Sequence, residues 1–259
     1  MAGHPSSLIL HPCSRRLFGA THSPIDNVTK GYFVTGTDTS VGKTVIACAL
    51  LHAFAAAGMK AVGMKPVAAG AEPGEHGPVN EDAEQLARAS GIPAPRELAN
   101  PYCLRRPIAP HIAAAEEGVV IDLAHIERCF RALTTLAEAV VVEGVGGFRV
   151  PLGPTSDTAQ LARKLGLPVI LVVGMRLGCL NHALLTADAI AAQRLTLAGW
   201  VANHIDPELA APDDNVATLE ARLPVPLLAR VGFTVAPNSA AIARSLGAAI
   251  PPRHRRVTR

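Results

Sequence analysis

Residues 34–44, VTGTDTSVGKT, constrain the fold more than any other stretch of the chain. A short apolar run precedes them, and an alanine- and leucine-rich run of helical length, 43–57, follows. When a strand ends in a glycine-rich turn that leads into a helix, free backbone amides and the positive end of the helix point at one spot, which suits phosphate. The stretch therefore predicts a phosphate-binding loop between a buried strand and a helix.

The spacing of this loop differs from the usual pattern G-x-x-x-x-G-K-[ST], because Gly36 and Gly42 enclose five residues instead of four. Counting from Thr37 restores the four-residue gap. Lys43 then lies in the first helical turn, where its ammonium reaches the β- and γ-phosphates, and the Thr44 hydroxyl is a magnesium ligand. The alternative is a helix-start lysine without an anion. It is disfavoured because the charge of such a lysine opposes the helix dipole.

Beyond the loop, short β-branched runs alternate with alanine- and leucine-rich segments of helical length. This pattern is typical of parallel strands joined by crossover helices. The strands are predicted at 32–35, 61–67, 139–143, 168–173, 197–203 and 225–231, and the helices at 43–57, 81–89, 122–138, 157–165, 180–193 and 214–222. Asn80 and Asp122 are predicted N-caps, and 68–79 a surface loop. We expect an α/β fold with one phosphate-loop NTPase domain, in which helices cover both faces of a mostly parallel sheet.

Composition excludes several classes of function. The chain has 259 residues, of which 49% are hydrophobic and 3% aromatic, so its core is built mainly from aliphatic side chains. Its net charge of +3 comes from basic residues near the two ends, and we expect neither nucleic acid nor membrane as a partner. The five cysteines include no C-x-x-C pair, which favours reduced thiols. No apolar run has membrane-spanning length, so we expect a soluble, cytoplasmic protein.

The two ends of the chain differ from its body. Residues 1–30 contain Arg and Ser, one acidic residue and an apolar stretch too short for a secretory signal. We expect a flexible N-terminal extension there, with a transit peptide as the alternative. Residues 251–259 carry four arginines and are expected to form a basic disordered tail. The predicted strands and helices all lie within 31–250, which is expected to form a single domain.

Three polar residues end predicted strands at the carboxyl edge of the sheet, where ligands bind in open α/β folds. Lys65 ends the second strand. Glu143 closes the apolar run VVVEG, and a charged acid there is costly unless it is paired or bound to a metal. Asn203 ends the fifth strand and offers the donor and acceptor that adenine requires at N6 and N7. The sequence NHID at 203–206 also imitates the guanine motif N-K-x-D, with Asp206 as the reader, so GTP remains an alternative to ATP.

Five separated blocks carry a resemblance to a known enzyme family. They are YFVTGTDTSVGKT, GMKPVAAG, VVVEGVGG, LPVILVVGMRLGCLNHALLT and LAGWVAN, in this order between about 32 and 230. Together they resemble the dethiobiotin synthetases of biotin biosynthesis. The resemblance implies a ligase that uses ATP and Mg²⁺ to join CO2 to 7,8-diaminononanoate and to close a cyclic urea. It implies that a carbamate and a carbamic-phosphoric anhydride are intermediates, and that 31–250 is the synthetase domain.

The resemblance also implies roles for individual residues. Lys65 would bind the carbamate and the phosphoryl group that it attacks, with Lys43 and Thr39 as further catalytic residues. The magnesium ligands would be Thr44, Asp82 and Glu143. The nucleotide would contact Thr37, Asp38, Thr39, Ser40, Val41, Gly42, Lys43, Thr44, Gly146 and Asn203, and Asp38 would also position the amines. The substrate would contact Lys65, Ala69, Gly178, Cys179, Leu180 and Asn181, the last four from the neighbouring subunit of a homodimer.

Two positions depart from a frequent form of the family, and both bear on nucleotide affinity. Ser40 stands where Glu is common, and Ala69 stands where Ser is common. Alanine at position 69 has no hydroxyl, and the hydrogen bond that a serine could form there is worth on the order of 1 kcal/mol.

Three alternative functions remain. An amide-forming ligase of the cobyrinate-amidase type needs a glutaminase domain, for which too few residues follow the fifth strand. An ATPase switch of the partitioning type carries a lysine early in the loop, where this chain has Thr37, Asp38 and Thr39. A catalytically silent relative would keep charged groups without their ligands, which is costly.

Overall fold

The computed structural model describes residues 30–75 and 77–247. Within these residues the strands are β1 (Lys30–Gly36), β2 (Ala61–Met64), β3 (Val67–Ala69), β4 (Glu72–Gly74), β5 (Gly77–Val79), β6 (Tyr102–Leu104), β7 (Ala139–Glu143), β8 (Val169–Met175), β9 (Leu197–His204) and β10 (Leu227–Val231). The helices are α1 (Lys43–Ala56), α2 (Glu81–Ala89), α3 (Arg96–Ala99), α4 (Pro110–Glu116), α5 (Leu123–Leu136), α6 (Thr158–Leu165), α7 (Cys179–Ala192), α8 (Pro212–Arg222) and α9 (Ser239–Leu246).

The main sheet has six strands in the order β10-β9-β8-β1-β7-β2, and all neighbouring pairs are parallel. The central strand β1 pairs with β7 on one side and with β8 on the other. Every residue of β7 and β8 is buried, as expected for parallel strands that are covered on both faces. Because all six carboxyl ends lie at one edge, residues that follow different strands meet there.

Helices cover both faces of this sheet, because successive side chains of each strand point to opposite sides. Val34 and Ile170 pack with α1, α2 and α9, whereas Phe33 and Val169 pack on the opposite face with α5 and α6. Further along that second face, α7 and α8 cover β8 and β9. The predicted α/β fold, a phosphate-loop NTPase fold with helices on both faces of a parallel sheet, is confirmed.

The prediction that 68–79 is a surface loop without regular structure is wrong. Residues Val67–Ala69 form β3, which pairs in parallel with β6, and β4 and β5 form a small antiparallel hairpin. In that hairpin Pro73 lies opposite Pro78. The two prolines are tolerated because only alternate pairs of an antiparallel ladder exchange backbone hydrogen bonds.

Other predictions of local structure have mixed outcomes. The N-caps are confirmed, since side-chain oxygens of Asn80 and Asp122 each accept from two backbone amides of the following turn. The second strand ends at Met64, before Lys65, and the elements α3, β6, α4 and α9 were not predicted. The predictions for 1–29 and 251–259 lie outside the described residues. No helix in the described ranges is long and apolar enough to cross a membrane.

Candidate active site

The phosphate loop leaves β1 at the carboxyl edge of the sheet and enters α1 at Lys43. Its backbone is left-handed at Ser40 (φ 57°) and at Gly42 (φ 90°). A Cβ atom on Gly36 would lie 2.5 Å from Cγ2 of Val41 and 3.2 Å from Cδ of Lys43. The loop therefore requires its first glycine at position 36, because Val41 folds back over it, and this explains the five-residue spacing.

We expect Gly36→Ala to weaken ATP binding. The new methyl group must displace the buried Val41, and overpacking of this kind costs about 1–3 kcal/mol, or roughly 5- to 100-fold in affinity if the loop bears the cost. Calorimetric titration with a non-hydrolysable ATP analogue measures the effect. Gly91→Ala is the matched control, since a Cβ there would meet no atom nearer than 3.6 Å. Equal affinities for the two variants would contradict this explanation of the spacing.

Lys43 is held inside the loop. Its ammonium donates a hydrogen bond to the backbone oxygen of Asp38 at 2.8 Å, and the residue is only 6% exposed. Burial, together with the neighbouring charge of Lys65, lowers the pKa of Lys43 to about 8, against the opposing pull of the carboxylates of Glu143 and Asp82. A buried cation with one carbonyl partner and free donor capacity is suited to an anionic ligand.

The structure brings four predicted residues together beside this loop. The ammonium of Lys65 donates to Asp82 Oδ2 at 2.8 Å and to Glu143 Oε1 at 2.5 Å. The Thr44 hydroxyl donates to the same Glu143 oxygen at 2.9 Å. These residues converge because β2, β7 and the start of α1 all reach the carboxyl edge of the sheet, where the first turn of α2 also lies.

Burial and charge set the protonation of this cluster. Burial alone would lower the pKa of Lys65, but the carboxylates of Glu143 and Asp82 outweigh burial and raise it, so the ammonium is charged. Burial raises the pKa of Glu143 despite the attraction of Lys65. Burial also acts to raise the pKa of Asp82, but Lys65 outweighs it and the pKa is lowered. Asp82 is therefore ionised at neutral pH, and its 41% exposed side chain remains open to water.

The cluster fits a magnesium ion. Glu143 is 1% exposed, and its Oε2 atom has no hydrogen-bond partner among the described residues. Within the same residues no group of three or more His, Cys, Asp or Glu side chains could hold a metal. Magnesium commonly takes one or two carboxylates, with phosphate oxygens and water completing its shell. Two carboxylates and the Thr44 hydroxyl next to a phosphate loop match that donor set.

Two contacts that the sequence did not reveal fix the position of Lys65. Its backbone amide donates to the oxygen of Ala99 at 2.8 Å, and Nδ2 of Asn100 donates to the Lys65 oxygen at 2.6 Å. Both partners come from the segment around α3.

Asn80 makes a further contact near the cluster. Its Nδ2 atom donates to the oxygens of Ala69 and Gly70 at 3.4 and 3.2 Å. Asn80, the N-cap of α2, therefore holds the predicted substrate residue Ala69, and Asp82 lies two residues after this cap.

Asn203 contacts the phosphate loop directly. Its Nδ2 atom donates to the oxygen of Val41 at 2.8 Å, and a Cβ atom on Gly42 would lie 2.3 Å from it. One hydrogen of the amide group is therefore engaged, while the second hydrogen and Oδ1 remain for a ligand.

A cavity of about 290 Å³ lies at the ends of β9 and β10, next to the residues that come after Asn203. It is lined by His204, Asp206, Pro207, Leu209, Pro212, Gly232 and Phe233.

The remaining predicted residues surround the loop to different extents. Thr39 is exposed, and a Cβ atom on Gly146 (φ 61°) would lie 3.6 Å from its hydroxyl oxygen. Thr37 Oγ1 accepts from the amide of Gly174 at 3.3 Å, so it is used within the protein. Asp38 forms an ion pair with Arg176, which sequence reasoning missed.

Residues 178–181 form the start of α7. Gly178 is left-handed (φ 93°), and Asn181 is exposed. The Cys179 side chain is buried in the core with Ala183, and its amide donates to the oxygen of Arg176 at 3.0 Å. The amides of Leu180 and Asn181 lie in the first helical turn, where amides lack intrahelical partners.

Known proteins resemble this chain over most of its length. The family model of an AAA domain matches residues 30–235. The chain is 58% identical to the ATP-dependent dethiobiotin synthetase BioD of Aromatoleum aromaticum over 219 residues, which are 84% of this chain and 96% of that protein. It is also 58% identical to the enzyme of the same name from Janthinobacterium sp., over 83% of this chain and 92% of that protein.

A solved structure of the signal recognition particle receptor FtsY from Elizabethkingia anophelis has a TM-score of 0.49 and 16% identity, covering 88% of this chain and 66% of that one. The family model spans the loop, the strands of the main sheet and the charged cluster described above. The chain therefore belongs to the ATP-dependent dethiobiotin synthetase family and is an ATP-binding ligase of that type.

Proposed function

We propose that the chain joins CO2 to 7,8-diaminononanoate and closes the urea ring of dethiobiotin, with release of ADP and phosphate. The observation that carries this proposal is the pair of buried lysines, Lys43 and Lys65, at the phosphate loop beside the two carboxylates. The reaction needs charge neutralisation on a triphosphate and on a carbamate, and no side-chain nucleophile. The two ammonium groups would provide this directly, and the hydroxyl and the two carboxylates would contribute by holding a magnesium ion.

The proposed reaction has three steps. One amine of the substrate attacks CO2 and loses a proton, which gives a carbamate. A carbamate oxygen then attacks the γ-phosphorus of ATP, ADP leaves, and a carbamic-phosphoric anhydride forms. The second amine attacks the anhydride carbonyl, loses a proton and expels phosphate. Lys65 would bind the carbamate and the phosphoryl group, Lys43 would neutralise the β- and γ-phosphates, and Thr39 would donate to the transferring oxygens.

Thr44, Asp82 and Glu143 would hold a magnesium ion, which supplies further neutralisation of the phosphates when bound. Lys65 contacts the carboxylates of both Asp82 and Glu143. We infer that Lys65 exchanges one or both carboxylate contacts for the carbamate during the reaction. Lys65 immediately follows β2, and its contact with Asn100 fixes its main chain there. The ammonium is therefore within reach of both the carboxylates and the position proposed for the carbamate.

The base of the nucleotide would occupy the cavity beside Asn203. The free hydrogen and Oδ1 of the Asn203 amide would bind N7 and N6 of adenine, and the half-exposed Phe233 would contact the face of the base. Backbone amides of 37–44, together with Gly146, would surround the phosphates. Asp206 also lines the cavity, so GTP is tested alongside ATP.

The substrate site would be shared across a homodimer in the cytoplasm, with 31–250 as the synthetase domain. The start of α7 has free amides suited to the acid end of the substrate. Leu177, which is 92% exposed, and the exposed Leu185 lie on either side of this segment. Exposed large apolar side chains next to a proposed binding segment are the kind that a second subunit covers.

Phosphate release from Mg-ATP in the presence of bicarbonate, with and without 7,8-diaminononanoate, tests the proposal. We expect release that depends on the diamine and equals the dethiobiotin found by mass spectrometry, with ATP preferred over GTP. Release that is indifferent to the diamine would reject the proposal and favour an ATPase switch. Preference for GTP would reject the adenine role of Asn203.

A further inference from the structure

The end of β8 runs alongside the phosphate loop beyond the last regular strand pair. Gly36 of β1 pairs with Val172 of β8, and the next amide, that of Thr37, donates to the Val172 oxygen at 3.0 Å. The amide of Gly174 then donates to Thr37 Oγ1 at 3.3 Å. A Cβ atom on Gly174 would lie 2.7 Å from Cγ1 of Val41, so the two segments are in close contact.

Arg176 extends this contact to the next residue of the loop. Its Nη2 atom donates to Oδ2 of Asp38, and the two side chains are both less than half exposed. The other carboxylate oxygen of Asp38 accepts from the amide of Thr39 at 2.7 Å, and the backbone oxygen of Asp38 accepts from Lys43 at 2.8 Å. Asp38 is thus fixed both by the loop itself and, through Arg176, by β8.

The backbone of Arg176 is part of the turn that begins α7. Its oxygen accepts from the amide of Cys179 at 3.0 Å, two residues after the exposed Leu177. One residue therefore contacts the phosphate loop with its side chain and the start of α7 with its main chain. Asp38 and residues 178–181 are therefore linked through a single residue.

We propose that Arg176 is a positioning residue that couples nucleotide binding at the phosphate loop to binding of the acid end of the substrate at the start of α7. This inference rests on the proposed function. When phosphates draw the Lys43 ammonium away from the Asp38 oxygen, Asp38 and its partner Arg176 adjust, and the turn before α7 adjusts with them. Because 178–181 serves the neighbouring subunit in the proposed dimer, the coupling runs between the two active sites.

The test is the ratio of two dissociation constants for 7,8-diaminononanoate, measured by calorimetry without nucleotide and with a non-hydrolysable ATP analogue and Mg²⁺. We expect the analogue to tighten diamine binding to the unmodified protein by about fivefold or more. Arg176→Gln should reduce this ratio by about threefold, the scale of a partly exposed ion pair. Arg176→Lys should retain part of the coupling. Arg131→Gln, which removes an exposed ion pair with Glu127 on α5, is the matched control.

A merely structural role for Arg176 would change stability without changing the ratio. Thermal unfolding and the affinity for the analogue alone are therefore measured for each variant. If Arg176→Gln does not fold, Asp38→Asn breaks the same pair from the loop side and should reduce the ratio similarly. In a double-mutant cycle, the combined variant should show no weaker coupling than either single variant.

The outcomes separate this inference from the proposed function. If the unmodified protein binds no diamine, the proposed function fails and the inference fails with it. If it binds diamine with a ratio near one, or if Arg176→Gln keeps the full ratio, the function stands and the role of Arg176 is rejected.

Discussion

Lys65→Ala should lower diamine-dependent phosphate release by about 10²- to 10³-fold, the usual cost of removing one preorganised group that stabilises transition-state charge. Affinity for the ATP analogue should change little. Lys65 lies at the end of β2 against Glu143 and Asp82, whereas Lys43 and the amides of the loop face the position proposed for the phosphates. Single-turnover phosphate release at saturating nucleotide separates the two effects.

The same substitution should destabilise the ligand-free protein. Glu143 is buried and loses its ammonium partner, and breaking a buried pair in this way costs roughly 3–5 kcal/mol. Burial raises the pKa of Glu143, and without Lys65 it rises further, so the side chain takes up a proton as the pH falls. A protonated carboxyl needs no cation, and the loss of unfolding free energy should therefore be smaller at pH 5 than at pH 8. Denaturant unfolding at the two pH values measures this.

Lys60→Ala is the control for both measurements, because Lys60 immediately precedes β2 and is exposed. It should leave turnover and stability close to those of the unmodified protein. Undiminished turnover in folded Lys65→Ala protein would remove Lys65 from the mechanism. An equal loss of nucleotide affinity would instead assign Lys65 to nucleotide binding.

The architecture of the main sheet could be predicted from the sequence because its strands are buried on both faces. Such strands read as continuous apolar runs, which are distinct from the alanine-rich helices between them. The short elements β3, α3 and β6 could not be predicted, because contacts distant in sequence hold them. Asn100, for example, bonds the main chain of Lys65, 35 residues earlier. Local propensity carries no information about such a bond.

The residues of the candidate site divide in the same way, into those that a local sequence pattern predicts and those that depend on contacts distant in sequence. Lys43, Thr44 and Glu143 follow from a loop pattern and from an acid at the end of an apolar strand, and the structure brings them together. From the residues alone Asp82 could have been a helix-start acid, and the resemblance was needed to predict it as a magnesium ligand; its bond to Lys65 places it in the cluster. Arg176 had no local pattern, because its partner Asp38 is 138 residues away. The roles of these residues in catalysis stay predictions.

Lys43→Met should affect binding and stability in opposite directions. The variant loses a charged donor to the phosphates, worth about 1.5–3 kcal/mol, so affinity for the ATP analogue should fall roughly 10- to 100-fold. The ligand-free protein should become more stable, by on the order of 1–3 kcal/mol at pH 7. Burial lowers the pKa of Lys43 to about 8, which means that the folded protein holds this proton less tightly than the unfolded chain.

The pH dependence of that increase in stability follows from the direction in which folding shifts the pKa of Lys43. Below pH 8 Lys43 is charged in both states, so the folded protein bears the full cost of burying the charge and methionine removes it. Between pH 8 and the ordinary lysine pKa of 10.5, Lys43 is neutral in the folded state and charged in the unfolded chain. The advantage of Lys43→Met should shrink across this interval and disappear above it. Lys60→Met, at an exposed position, should show no such trend. A variant less stable than the unmodified protein at pH 7 would show that the bond from Lys43 to Asp38 outweighs the cost of burying its charge. An increase independent of pH would show that the added stability does not come from removing a buried charge.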